Sequence, residues 1–267
     1  MSETLPSVYL APHGETAWRQ SCASCGLSKL RSVQEIMCSL CLRVIAAVLL
    51  FTGCAPAYKG ADPEEPVTSA VPMDEFVKRV VGSTEDVWAQ LFKSSGAHYF
   101  PPTVVLFTRS TWASCGIVST ATGPFYCPSD EKVYLDPTFL SELPQRLGVH
   151  GNFAQAYLVV HEISHHVQHL SGTVQQLDSA ASQSTERQRN QFRVRSELQA
   201  DCYTGVWAFY QQKQNRLDPG DLEEVPAAVG LNDPSTYGAA AQRLRWFNHG
   251  LATGDPGRCD TFQVSQP

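Results

Sequence analysis

The sequence has no block of lysines and arginines, no apolar run long enough to span a bilayer as a helix, no internal repeat and no long low-complexity tract. The first absence, with a formal net charge of -6 and a pI near 5.7, excludes a protein that neutralises nucleic-acid phosphates. Proteins or peptides are the expected partners. The apolar run Val44 to Phe51 is far shorter than the roughly 20 residues a membrane-spanning helix needs. Charged residues make up only 17% and hydrophobic ones 43% of 267 residues, a balance that buries one sizeable core without staples and predicts one main domain.

Cysteine is what the chain does have. Cys22, Cys25, Cys38, Cys41 and Cys54 lie towards the N-terminus, and Cys115, Cys127, Cys202 and Cys259 lie in the body. Four body cysteines suffice for two disulfides, which requires an oxidising compartment. From Met37 the chain reads as a secretory signal: Arg43, the apolar run, then Phe51-Thr52-Gly53-Cys54, which resembles the lipobox of bacterial lipoproteins. The expected organisation is an N-terminal extension (1–36), a lipoprotein-type signal segment (37–54) with Cys54 lipidated, a Pro-rich tether (55–72) and a body (73–267). Lipid on Cys54 would hold the body at the outer face of the bacterial cytoplasmic membrane. A buried core segment is the competing reading of the apolar run. Cys22/Cys25 and Cys38/Cys41 also mimic a four-cysteine zinc site, though closely spaced. Val8 to Trp18 resembles the opening of the histidine phosphatase family, but Pro12 stands where that family has its phosphate-binding arginine, and nothing downstream continues the likeness.

In the body, apolar spacing over Asp74 to Phe92 predicts one or two helices interrupted near Gly82-Ser83. Thr103 to Thr108 and Lys132 to Asp136 read as strands separated by a loop bracketed by Cys115 and Cys127. Asn152 is placed to cap a helix ending near Leu170, and a second long helix is expected over Phe192 to Gln212. The stretch from Asp178 to Asn190 between them is polar and expected to be exposed. Asp218 to Asp221 and Ser235-Thr236 look like starts of further helices.

The first of the long helices carries His161-Glu162-Ile163-Ser164-His165, an HExxH motif whose imidazoles, at i and i+4, project from one face and can share a metal. Neutral imidazole suits Zn2+, and Glu162 is placed to accept a proton from the water in the open coordination position. Gln168 and Ser171 stand where a metzincin would have glycine and histidine, and His169 rotates towards the edge of the site. Downstream, Glu197 and Asp201 are a second i, i+4 pair: Glu197 can complete the metal site while Asp201 receives a ligand histidine's free N–H. A chance HExxH on a solvated helix face, and a plain helix salt bridge for Asp201, are the competing explanations.

Cys115-Gly116, Gly123 to Asp136, Phe153 to Gly172, Glu197 to Ala208 and the AQRLRWFNHG segment followed by CDTF resemble the bacterial neutral zinc metallopeptidase family. The resemblance implies an α+β, zincin-like fold, mainly helical with a small sheet. It also implies His161, His165 and Glu197 as metal ligands and Glu162 as the catalytic residue. The family commonly has histidine where this chain has Tyr237, whose hydroxyl can still donate to a developing oxyanion. Arg243 and Arg245 are alternatives for that role, or helix-bridging salt-bridge partners. In such a fold Val133 to Asp136 would be the edge strand along which an extended peptide lies. Expected pairings are Cys115 with Cys127, closing the loop before that strand, and Cys202 with Cys259, tying the tail to the metal helix. The function expected is a zinc endopeptidase acting on peptide or protein. A metal-bearing envelope scaffold and a zinc amidase acting on peptidoglycan are the rival readings.

Overall fold

The computed structural model describes residues 8–10, 72–181, 184–232 and 234–263, which fall within one compact unit. The expected signal segment, the tether up to residue 71, both N-terminal cysteine pairs and Cys54 lie outside the described residues. Among the described residues no helix is long and apolar enough to cross a membrane.

The architecture is α+β and mostly helical, with a small sheet. Helix α1 (Met73–Ser94) turns Phe76, Val77, Val80, Val81, Val87 and Trp88 into the core. It runs straight through Gly82-Ser83, contrary to the expected break. The Ser83 and Thr84 hydroxyls donate to the Val80 and Val81 carbonyls, and Trp207 Nε1 donates to Ser83 Oγ at 3.0 Å, so the polar residues are satisfied within the helix and its packing.

Strands β1 (Val8–Leu10), β2 (Thr103–Leu106), β6 (Lys132–Leu135) and β5 (Phe125–Cys127) form one sheet in that order, β5 antiparallel to β6 and the rest parallel. The segment read as a bare loop between Cys115 and Cys127 begins with a hairpin strand: β3 (Ser110–Ala113) pairs antiparallel with β4 (Gly116–Ser119). The Cys115–Cys127 disulfide ties this hairpin to β5. The edge-strand expectation is corrected here. Among the described residues strand β6 is interior, between β2 and β5, and β5 is the edge strand on that side. Three residues between Pro124 and Pro128 carry too little pattern to read as a strand.

Helix α2 (Pro137–Leu147) follows β6 with Asp136 as its cap. Helix α3 (Phe153–Leu170) is buried along nearly all its length. Asn152 sits at its N-cap but its side chain makes no capping bond. The Glu224 carboxylate does so instead, accepting from Gly151 N and Ala154 N. Helix α4 (Thr173–Ala181) precedes α5 (Glu186–Lys213), which starts earlier than its apolar pattern because Thr185 and Gln188 form a capping box ahead of it. Short helices α6 (Val225–Val229) and α7 (Pro234–Tyr237) lead to α8 (Ala240–Thr253). Where α5 meets α8 the backbones touch: a Cβ on Gly205 would lie 2.0 Å from the Phe247 carbonyl oxygen, and one on Gly250 2.0 Å from that of Cys202. The Cys202–Cys259 disulfide fastens the tail to this buried face of α5.

Candidate metal centre

Helix α3 presents His161 and His165 one turn apart, and α5 brings Glu197 to meet them. One ligand atom from each of the three residues lies within 4.8 Å of the others. A single Glu197 oxygen is 3.1 Å from His161 Nε2 and 3.4 Å from His165 Nε2. Tetrahedral coordination at bond lengths of about 2.0–2.1 Å puts ligand atoms about 3.3 Å apart, so the donor chemistry and both Glu197–imidazole spacings fit zinc.

Neighbouring groups turn both Nε2 atoms inwards. The His161 Nδ1 lies 3.0 Å from Asp201 Oδ1, an ionic contact that lacks full hydrogen-bond alignment. The His165 Nδ1 lies 2.8 Å from Gln168 Oε1, and the Gln168 amide is itself fixed by donating to the Ser196 carbonyl and Gln199 Oε1. Gln168 has no counterpart among the sequence candidates, although its i+3 position after His165 is a legible helical contact.

Asp201 is fully buried and anchored from another side. Arg243 Nε and Nη2 each donate to one of its oxygens at 2.8 Å, and the Tyr157 hydroxyl also donates to it. Burial opposes the Asp201 carboxylate, but Arg243 and then His161 outweigh it and hold its pKa at about 2. Arg243 is thereby committed to a buried fork, while Arg245 is exposed. Asp201 thus contacts both His161 and an arginine from another helix.

The carboxylate surroundings attract positive charge. Burial pulls the His161 imidazole down, yet the neighbouring Asp201 and Glu197 carboxylates more than offset this and raise its pKa to about 10. His165 is also raised, with Glu197 outweighing burial, and Glu197 is held well below the usual carboxylate range by the two histidines despite burial. A pocket that favours a bound proton this strongly is suited to a divalent cation in its place.

Glu162 does not join the ligand cluster. Its Oε2 accepts the main-chain N–H of Tyr126 on β5 at 2.9 Å. Burial raises its pKa, with the histidines and the Tyr126 N–H pulling the other way. The Tyr126 hydroxyl is 3.1 Å from His166 Nδ1, and His166 Nε2 is 2.7 Å from the Phe100 carbonyl oxygen. With Nε2–H donating to that carbonyl, Nδ1 accepts from tyrosine. Sequence reasoning missed Tyr126 and His166 because nothing in it pairs β5 with α3. His169 lies at the margin, 3.8 Å from Glu131. Tyr237 is half-buried and lines the same cleft as Glu162, His165 and Glu197, with the Arg243 guanidinium 5.7 Å from its ring centre.

A family model described as "putative neutral zinc metallopeptidase" matches residues 62–262. The chain is 38% identical over 206 residues to the uncharacterized protein YpfJ of Escherichia coli (strain K12), covering 72% of each chain. It is 35% identical over 209 residues to the uncharacterized protein Rv2575 of Mycobacterium tuberculosis, covering 68% of each. No solved structure matches it.

Proposed function

This chain belongs to the neutral zinc metallopeptidase family, and from that premise we propose that it is an endopeptidase with a zincin-like active site. The observation that carries the proposal is the convergence of His161, His165 and Glu197 beside a buried Glu162 that stays outside the ligand set. In this reading His161 Nε2, His165 Nε2 and a Glu197 oxygen hold the ion. Zinc, when bound, supplies Lewis acidity that brings the pKa of water to about 7 and polarises a carbonyl.

The side chains do the rest. Glu162 takes a proton from the attacking water on its carboxylate and returns it to the leaving amine, a task its burial-raised pKa favours. Asp201 and Gln168 keep the two imidazoles oriented, one from each side of the site. The Tyr237 hydroxyl, whose pKa burial pushes up, stays protonated and donates to the developing oxyanion. The peptide lies along the cleft beside β5. The same proposal has the body working at the outer face of the cytoplasmic membrane on a Cys54 lipid, and the two disulfides support an oxidising compartment.

The test is zinc content and quenched-peptide turnover of wild type and Glu162→Gln. The expected result is one zinc per chain in both, with turnover lower by about 10²- to 10⁴-fold in the variant. Turnover by Glu162→Gln at the wild-type rate would remove Glu162 from the mechanism, and failure of both proteins to retain zinc would overturn the proposal.

A further inference from the structure

A cleft of about 490 Å³ opens over the metal centre, between the β5 edge and the N-terminal half of α5. The carboxylates lining it are Glu162 and Glu197, both already engaged in the centre. Away from them its wall is neutral or apolar, with Phe125, Val174 and Phe192 prominent, apart from two cations, Arg189 and Arg193. Both are exposed. They donate to neutral acceptors, the Ser184 carbonyl and Asn190 Oδ1 respectively. Among the described residues neither has an ion-pair partner. In a chain of net charge -6 this sets two guanidinium groups with no ion-pair partner among the described residues at the mouth of the site.

Their placement follows from helical spacing. Arg189, Arg193 and Glu197 recur every four residues along one side of α5. At 1.5 Å per residue, Arg193 stands about 6 Å and Arg189 about 12 Å along the axis from the ligand position. For an extended peptide running alongside α5 and advancing about 3.3 Å per residue, the arginines match positions about two and four residues from the bond under attack. Arg193 and Tyr237 line the same cleft; burial, Glu197 and Glu162 push the Tyr237 pKa up, while Arg243 and Arg193 pull it back.

We infer that Arg189 and Arg193 set specificity, selecting peptides that carry a carboxylate two to four residues from the scissile bond, beside an apolar side chain that packs on Phe192 and Val174. This rests on the peptidase reading above. The carboxylate belongs either to an aspartate or glutamate side chain or to the peptide's own C-terminus, since a guanidinium fork grips both in the same way.

The test is fluorescence-anisotropy binding of labelled peptides to the zinc-loaded full chain carrying Glu162→Gln, which separates binding from cleavage. A single Glu is scanned along an aromatic-containing peptide against its Gln twin, and each peptide is made with a free and an amidated C-terminus. The acidic form should bind roughly two- to five-fold tighter for each arginine engaged, the advantage shrinking as salt rises. Adding Arg189→Gln and Arg193→Gln should bring the ratio near one, and Arg193→Glu should turn the preference towards a Lys twin, which a folding defect would not do. A gain for Glu over Gln assigns the carboxylate to a side chain, and a gain for free over amidated ends assigns it to the terminus; either supports the inference. Equal binding of all twins, or a preference surviving in the double arginine variant, overturns it. Parallel turnover by the protein with Glu162 intact keeps the two claims apart: acid-selective binding without cleavage sinks only the peptidase reading, and cleavage without acid preference sinks only this one.

Discussion

The Glu162 carboxylate is positioned by a main-chain donor, the Tyr126 N–H, and the strand bearing that donor is pinned through the tyrosine's own hydroxyl to His166. Burial lowers the His166 pKa, which keeps its Nδ1 available as an acceptor. Tyr126→Phe leaves the backbone donor in place but frees its anchor. Losing one buried hydrogen bond is worth about 1 kcal/mol, so kcat should fall by up to about five-fold with zinc content unchanged; steady-state kinetics with metal analysis checks both, and lost zinc would contradict this role. His161 gives a pH prediction. Its folded-state pKa, raised to about 10, lies above the ordinary histidine value, so protonation stabilises the ion-free chain most fully below about pH 6.5. That contribution is lost as pH rises to about 10. Zinc must displace the same proton, so its affinity should rise over that interval while the melting temperature of chelator-treated protein falls; competition with a coloured chelator and thermal melts measure the two trends.

At the scale of helices and strands, glycine acts with opposite sign in two places. Gly250 lets α8 reach the Cys202 carbonyl of α5, and a methyl 2.0 Å from that oxygen forces the helices apart. Gly250→Ala should cost about 1–3 kcal/mol or more in urea unfolding. Gly82, inside α1 with open space around its Cβ position, should be stabilised by alanine by about 0.5–1 kcal/mol. An unchanged unfolding midpoint for Gly250→Ala would refute this view of the α5–α8 contact, and a loss of stability in Gly82→Ala would refute the open space at Gly82. The sequence made α3 legible through its buried stripe and motif, and it placed Glu197 and Asp201 one turn apart on the next long helix. It did not reveal where α5 starts, because residues from Glu186 to Asn190 are polar and exposed and carry no apolar rhythm. Nor did it identify β5 as the cleft edge, since that depends on non-local pairing. The Glu224 cap was equally invisible: its partners lie 73 and 70 residues earlier in the chain.

Across the whole molecule the disulfides close loops of unequal length. Cys202–Cys259 spans 57 residues and Cys115–Cys127 spans 12. From loop entropy alone the first should contribute about 4 kcal/mol and the second about 3. Replacing each pair by serine and measuring urea unfolding checks the order, with the longer loop expected to cost more. The shorter one also fixes the hairpin to β5, so its removal should additionally slow turnover by loosening the strand that carries Tyr126.

The Glu224 carboxylate that caps the start of α3 has a consequence in time as well as in space. A ribosome delivers α3 long before residue 224, and Arg243, which neutralises Asp201, comes later still. A nascent chain can therefore hold the HExxH segment without its N-terminal cap or the finished buried charge pair. The buried surroundings of the metal centre are thus completed only when most of the polypeptide has emerged.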